Sequence, residues 1–190
     1  MIEEKSAWAS LCASRVVSGC HLSRCWLSAF VALLPALMRM RLIWVGRTKD
    51  AHVRALVEEY LKRLKRFVRC DVTELEQARA RGVEEGIEEE GRRILSALRT
   101  DATTILLDVE GREWSSPALA TEVERWQNAG TKEVAFVIGG HNGVAKEVAE
   151  RADLRWSLSR LTLTHEMARI LLVEQLYRAY TIIHGWPYQK

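Results

Sequence analysis

The chain has 190 residues, of which 48% are hydrophobic and 28% charged, a balance typical of a folded globular protein and not of a disordered one. This length suits one well-packed domain with an appendage. The formal net charge is only +3, from 28 basic and 25 acidic residues. Bulk charge therefore does not indicate a nucleic-acid partner, and an RNA or DNA would have to be bound by a local basic surface.

The first 39 residues differ from the rest of the chain, and we treat residues 1–39 as an N-terminal extension. Their apolar run, residues 26–38, is too short to span a bilayer. Two early glutamates are untypical of a secretory or mitochondrial leader, and no A-x-A cleavage site follows. We expect a poorly ordered tail or a translation start near Met40, with the folded domain covering residues 40–190.

Three of the four cysteines, Cys12, Cys20 and Cys25, lie in this extension. No C-x-x-C pair is present, and the cysteines lack the second ligand pair of a closed zinc site, so we expect no metal. Cys70 lies in an apolar stretch and is predicted to be a small buried hydrophobic residue. The pattern suits a reducing cytoplasm.

The remaining chain alternates short apolar runs with amphipathic stretches. Residues 41–46 predict a first strand, and residues 50–67 predict a helix because their apolar side chains recur on one face. Residues 68–75 predict a second strand. Glycines weaken any helix in the charged residues 76–91, and residues 91–100 are expected to complete a helix that begins among the glutamates.

Residues 102–111 predict a third strand, apolar throughout and ended by Gly111. Ser115, Ser116 and Pro117 are typical of a helix start, because hydroxyls cap free N–H groups and proline lacks one. That helix is expected to end near Asn128, and a fourth strand follows up to the glycine turn.

A short helix at 144–152, a short strand at 154–159 and a long helix at 164–185 complete the pattern, with Thr164 as the expected N-cap. Strands that are apolar almost throughout and alternate with helices favour an α/β fold. We expect a parallel-rich sheet flanked by helices on both faces.

Three segments are expected at the carboxyl ends of strands, where ligands bind in such sheets: residues 107–111, 139–143 and 158–169. The glycines at 139–143 fit either a plain strand-to-helix turn or a turn whose amides approach a cofactor. Their spacing does not match the dinucleotide fingerprint. Residues 158–163 run into the last helix without a glycine or proline turn, so another feature must hold this backbone.

Taken together and in order, these motifs resemble the SPOUT class of methyltransferases, and more closely the ribosomal RNA large-subunit methyltransferase H family. The similarity covers residues 40–190 and leaves residues 1–39 unmatched. The segments that carry it are MRLIWVGRTKD (40–50), LLDVEGREWSS (106–116), FVIGGHNG (136–143), SLSRLTLTHEMARILLVEQLYRAY (157–180) and PYQK (187–190).

This resemblance implies a C-terminal trefoil knot, an obligate homodimer and S-adenosyl-L-methionine as methyl donor. It also implies a cytoplasmic enzyme that methylates ring N3 of a pseudouridine in 23S rRNA within the ribosome, without a membrane or a metal. The knot would explain how residues 158–169 are held. The cofactor-binding residues implied by the motifs are Leu107, Gly139, Leu158, Ser159, Arg160, Leu161, Thr162 and Leu163.

Methylation of an imide nitrogen requires loss of its proton and alignment of the base with the methyl donor. The candidate catalytic residues are Tyr188, His165 and Arg169, and the candidate substrate contacts are Gln189 and Lys190. His165 fits a solvent-facing first turn equally well. Arg169 lies one turn further on the same helical face, and the two together favour a site.

Other polar residues have simpler interpretations. Glu174 and Arg178 are expected to form a surface ion pair, and His141 is not expected to be catalytic. The basic run at residues 62–69 fits a solvated helix face better than an RNA contact, although phosphate contacts dominate RNA affinity.

The terminal tail departs from the family pattern of Tyr-His followed by a basic residue, because Gln189 replaces the histidine. Glutamine cannot titrate, but it can hydrogen-bond a uracil edge. Two alternatives therefore stay open: a ribosome-binding dimer without activity, and a SPOUT methyltransferase that acts on tRNA.

Overall fold

The structure is a computed structural model that describes residues 38–189, so the predicted extension lies, apart from its last two residues, outside the described residues. The elements, in chain order, are β1 (Arg39–Val45), α1 (Ala51–Leu64), β2 (Arg69–Leu75), α2 (Val83–Ala97), β3 (Thr103–Glu113), α3 (Ser116–Asn128), β4 (Glu133–Ile138), α4 (Lys146–Arg151), β5 (Leu154–Ser157), α5 (His165–Ile183) and a terminal 3-10 turn (Pro187–Gln189).

The five strands form one sheet in the order β2-β1-β4-β3-β5, and every strand pair is parallel. The predicted α/β fold with a parallel sheet is confirmed. Since all strands run in one direction, the carboxyl ends of β3, β4 and β5 meet at one edge. The register places Leu106 beside Val137 and Leu107 beside Trp156 at that edge.

Alternate residues of the strands point to opposite faces of the sheet and pack into different hydrophobic clusters, as the two-residue period of a strand requires. Leu42 and Trp44 of β1 belong to the core beneath α1, α3 and α5. Val45, the residue after Trp44, points to the opposite face and belongs to the core beneath α2 and α4. Helices therefore cover both faces, and full burial of each such side chain contributes roughly 1.5–3 kcal/mol.

Side-chain caps fix the starts of three helices. Asp50 accepts hydrogen bonds from the N–H groups of His52 at 2.7 Å and Val53 at 3.0 Å at the start of α1. Ser115 caps α3, and Thr164 caps α5 by accepting a bond from Met167 N at 3.3 Å. The predicted starts of α3 and α5 are thereby confirmed.

The third strand does not end at Gly111, as the sequence predicted, but continues to Glu113 through a shift in its pairing with β5. A Cβ on Gly111 would lie 2.6 Å from the carbonyl carbon of Arg155 and 2.7 Å from Trp156 N. This glycine therefore permits close approach of two backbones within the sheet and does not form a turn.

Helix α2 begins at Val83, among the glycines that the sequence suggested would weaken it. Gly86 and Gly91 are buried, and a Cβ on Gly91 would lie 2.5 Å from Ala145 Cβ. Absence of a side chain therefore lets α2 pack directly against the segment that precedes α4.

Cys70 is buried in β2, as predicted, and burial raises the pKa of its thiol to about 12. A thiol in this state is unreactive at neutral pH.

Among the helices of residues 38–189, none is both long and apolar enough to cross a lipid bilayer.

Candidate functional site

A cavity of about 440 Å³ opens at the carboxyl edge of β3, β4 and β5. This volume lies within the range of small-molecule sites. Its walls come from the ends of these strands, the glycine turn after β4, the loop between β5 and α5, and the first turn of α5. The lining residues used below are Leu107, Asp108, Ile138, Gly139, Gly140, His141, Gly143, Val144, Arg155, Trp156, Leu158, Ser159, Leu161, Thr162, Leu163 and His165.

Of the residues predicted to bind a cofactor, all but Arg160 line this cavity. The guanidinium of Arg160 turns toward the extension of β3, where it donates to Val109 O at 3.2 Å and lies 3.6 Å from a carboxylate oxygen of Glu113. Its side chain therefore ties the β5–α5 loop to β3.

The loop of residues 158–164 is held without a glycine or proline turn by serine side chains. The hydroxyl of Ser157 donates to Ser159 O at 3.0 Å, and the hydroxyl of Ser159 accepts from Leu161 N at 3.0 Å. Leu161 is exposed beside the cavity, with 74% of its surface accessible. The loop thus presents leucines and backbone groups to the cavity.

The glycine turn after β4 forms the floor of the cavity. Gly143 N donates to Gly140 O at 3.2 Å, and Gly143 has φ +105°, a conformation that favours glycine. Gly139 does not have positive φ, but a Cβ there would lie 2.4 Å from Val144 Cγ2. Gly139 therefore permits a close approach of the backbone to Val144.

His165, the first residue of α5, lines the cavity as a predicted catalytic residue should. Burial, and then the charges of Arg169 and His141, lower its pKa below the ordinary value, while Glu90 opposes this in part. Its imidazole is accordingly neutral at pH 7 and can both donate and accept a hydrogen bond.

Two cavity features were missed or set aside in the sequence. His141, which was not expected to be catalytic, also lines the cavity, and its Nδ1 lies 2.8 Å from Gln77 Nε2. Asp108 pairs with Arg155, whose Nε donates at 2.9 Å. Burial alone would raise the pKa of Asp108, but hydrogen bonds from Glu110 N–H and Arg155, with the charge of Arg155, outweigh it and lower the pKa.

The position of Asp108 in the sequence carried a signal that could have revealed it. Asp108 follows the apolar residues of β3 and lies within residues 107–111, which were expected to bind a ligand. Arg155 is the second residue of β5 and had no such signal.

Arg169, the second predicted catalytic residue, is buried and does not line the cavity. Its guanidinium donates to Thr48 Oγ1 at 2.8 Å, Val45 O at 2.8 Å and Gly46 O at 3.0 Å, and lies over the ring of Trp44. The structure thus places this side chain at the connection between β1 and α1.

Tyr188, the third, packs against the middle of α5 and does not lie at the cavity of its own chain. Its hydroxyl donates to Glu174 at 3.1 Å and lies 3.2 Å from the hydroxyl of Tyr60. Burial, the bond with Tyr60 and the charge of Glu174 raise its pKa. Glu174 lies about two and a half helical turns beyond His165.

Glu174 and Arg178 form the predicted ion pair, with Arg178 Nε 3.0 Å from the carboxylate, but the pair is half-buried and the same oxygen accepts from Tyr188. The expectation of a simple surface pair was therefore wrong. The side chain of Gln189 and all of Lys190 lie outside the described residues.

Within residues 38–189, no group of three or more His, Cys, Asp or Glu side chains is placed to hold a metal ion. The titratable side chains at the cavity are instead the two histidines and the Asp108–Arg155 pair.

Comparison with known proteins identifies the family of this chain. The family model described as "Predicted SPOUT methyltransferase" matches residues 38–189. A protein of Desulfotalea psychrophila named ribosomal RNA large subunit methyltransferase H is 42% identical over 153 residues, which are 80% of this chain and 100% of the relative. Proteins with the same name from Anaeromyxobacter sp. (44%, 80% and 100%) and Geotalea daltonii (42%, 80% and 99%) match similarly. The chain therefore belongs to the SPOUT methyltransferase family.

Proposed function

We propose that this protein transfers a methyl group from S-adenosyl-L-methionine to ring N3 of a pseudouridine in 23S rRNA within the ribosome. The observation that carries the proposal is the cavity at the carboxyl edge of the sheet, in a chain whose relatives are named for methylation of large-subunit ribosomal RNA. Because ribosomes are the proposed substrate, we place the activity in the cytoplasm.

The cavity residues fit this cofactor. Leu107, Ile138 and Leu158 provide apolar walls for the adenine ring. The glycine turn has a backbone that side chains do not cover, so its peptide groups can approach the ribose and the methionine part. The tight contact between Gly139 and Val144 shapes the floor on which the cofactor rests.

S-adenosylmethionine, when bound, supplies an electrophilic methyl group. The protein has to align the base, exclude water and assist loss of the N3 proton. His165 is the cavity residue best suited to hold the base, because its neutral imidazole can accept a hydrogen bond at pH 7. We assign Arg169 a positioning role, since its donors hold the β1–α1 connection beside α5.

We further propose that the active unit is a homodimer with a C-terminal trefoil knot. Tyr188 does not line the cavity of its own chain, so a role in catalysis requires that the tail of one copy reach the cavity of the other. Gln189 and Lys190, next in the tail, then contact the uracil edge and a phosphate. The knot would hold residues 158–164 together with the serine hydrogen bonds of this loop.

The basic end of α1 offers a docking surface for rRNA. Lys62, Lys65 and Arg66 are exposed there, whereas Arg63 is half-buried, pairs with Glu59 and lies over the ring of Tyr60. A second copy doubles this charge, and such phosphate contacts supply much of RNA affinity.

The proposal is tested with labelled S-adenosylmethionine and three acceptors: whole ribosomes, free 23S rRNA and tRNA. We expect label in 23S rRNA, with ribosomes the best acceptor. Label in tRNA alone would favour the other SPOUT activity. Cofactor binding in calorimetry without transfer to any acceptor would favour a ribosome-binding dimer without activity.

A further inference from the structure

Helix α2 carries a buried carboxylate that the proposed chemistry does not use. Glu90 is only 5% exposed, and its one described hydrogen bond is from Ala78 N to Oε1, at 3.0 Å. No Lys, Arg or His within the described chain forms an ion pair with it. A charge removed from water without a cationic partner is costly, so its placement calls for a reason.

The free oxygen of Glu90 lies directly behind the wall of the cavity. A Cβ on Gly140 would lie 2.0 Å from Glu90 Oε2, and the next two nearest atoms also belong to Glu90. Gly140 itself lines the cavity. Beside it, Gly91 packs against Ala145, so the helix that carries Glu90 is held firmly against the glycine turn.

The other acidic group at the cavity is already neutralised, because Asp108 is paired with Arg155. The charge of Glu90 does reach the cavity. At His165 it acts against burial and against the charges of Arg169 and His141, which together lower the pKa of this histidine. Glu90 thus places a negative charge beside the glycine turn, and within residues 38–189 this carboxylate has no cation in an ion pair with it.

We propose that Glu90 makes the cavity select the cationic methyl donor over the product that remains after methyl transfer. The inference rests on the proposed function. The sulfonium of S-adenosylmethionine carries a positive charge, and S-adenosylhomocysteine has a neutral sulfur. A carboxylate behind Gly140 therefore strengthens binding of the donor and assists release of the product.

The expected effect follows from Coulomb's law. Two unit charges separated by roughly 10 Å at an effective dielectric constant of about 20 interact with an energy equivalent to roughly a tenfold change in affinity, and we take this as the scale of the effect. Glu90→Gln keeps the shape and the acceptor for Ala78 N but removes the charge. It should weaken S-adenosylmethionine about tenfold and change the affinity for S-adenosylhomocysteine less than about twofold.

The experiment is calorimetric titration of the full chain with each of the two ligands. Glu88→Gln is the matched control, because Glu88 lies on the same helix but is exposed and paired with Arg92. It should leave both affinities unchanged. Glu90→Asp keeps the charge on a shorter side chain, and it should retain the preference for the donor.

The ratio of the two affinities in one sample does not depend on the fraction of folded protein, so partial unfolding cannot imitate the result. Equal weakening of both ligands by Glu90→Gln would reduce Glu90 to a packing role and overturn the inference. Two affinities that both stay at their wild-type values in Glu90→Gln would overturn it as well. Failure of the wild-type protein to bind either ligand would instead refute the proposed function and the inference together.

Discussion

Replacement of Arg169 by methionine distinguishes a positioning role from a catalytic one. Methionine keeps the unbranched apolar stem but removes the donors to Thr48, Val45 and Gly46. Hydrogen bonds from a charged donor contribute roughly 1.5–3 kcal/mol each, and loss of the buried cation relieves some desolvation. We therefore expect the free energy of unfolding to fall by about 3 kcal/mol, which for a domain of this size lowers Tm by roughly 10 °C.

The assay is urea unfolding followed by tryptophan fluorescence at a fixed protein concentration, since Trp44 lies 5.2 Å from the Arg169 guanidinium. Arg125→Met is the control, because Arg125 forms an exposed pair with Glu122 that contributes at most about 1 kcal/mol. A stability loss below about 1 kcal/mol for Arg169→Met, combined with loss of methylation, would refute the positioning role and favour direct catalysis.

Three further predictions concern the cavity and the tail. Gly139→Ala should abolish S-adenosylmethionine binding in calorimetry, because the new Cβ meets Val144 Cγ2. Addition of Val144→Ala should restore binding, and no recovery would show that this contact is not the cause of the loss. The free energy of unfolding should decrease as the pH drops below about 6.5. In this range the unfolded state binds a proton at His165 more readily than the folded state, where the pKa of His165 is lowered. The free energy of unfolding of His165→Gln, measured with urea, should depend less on pH than that of the wild type, and an unchanged pH dependence would contradict this. Gln189→His should alter single-turnover methylation of ribosomes by less than about tenfold, and a gain of about 10²-fold or more would indicate a missing general base.

Local patterns were sufficient for much of the fold. Apolar spacing located the helices, and the hydroxyl caps at Ser115 and Thr164 located two of their starts. In a parallel sheet the strand ends must meet at one edge, so Leu107 and Gly139 could be expected at the same cavity.

The predictions that were wrong concern features set by contacts between segments distant in the chain. Gly111, considered alone, predicts the end of a strand. In the structure its lack of a side chain instead allows the backbone of β5 to approach closely. Arg169 does lie near His165 on α5, yet acceptors more than 120 residues earlier bind its guanidinium. Glu90 belongs to a charged run, and only the packing of α2 on the glycine turn shows that it is buried.

The prediction of a simple surface pair on α5 was wrong for the same reason. Glu174 and Arg178 have the spacing of a surface pair, but Tyr188 folds back onto Glu174 and covers it. A return of the chain after α5 is a tertiary event that helical spacing cannot predict.

The proposed function is tested most directly by identifying the nucleoside that receives the methyl group. Ribosomes that lack the modification are incubated with the protein and deuterated S-adenosylmethionine, and the large-subunit rRNA is digested and analysed by mass spectrometry. We expect one deuterated methyl group, on N3 of a pseudouridine. Label on a different nucleoside, or large-subunit rRNA without label, would contradict it.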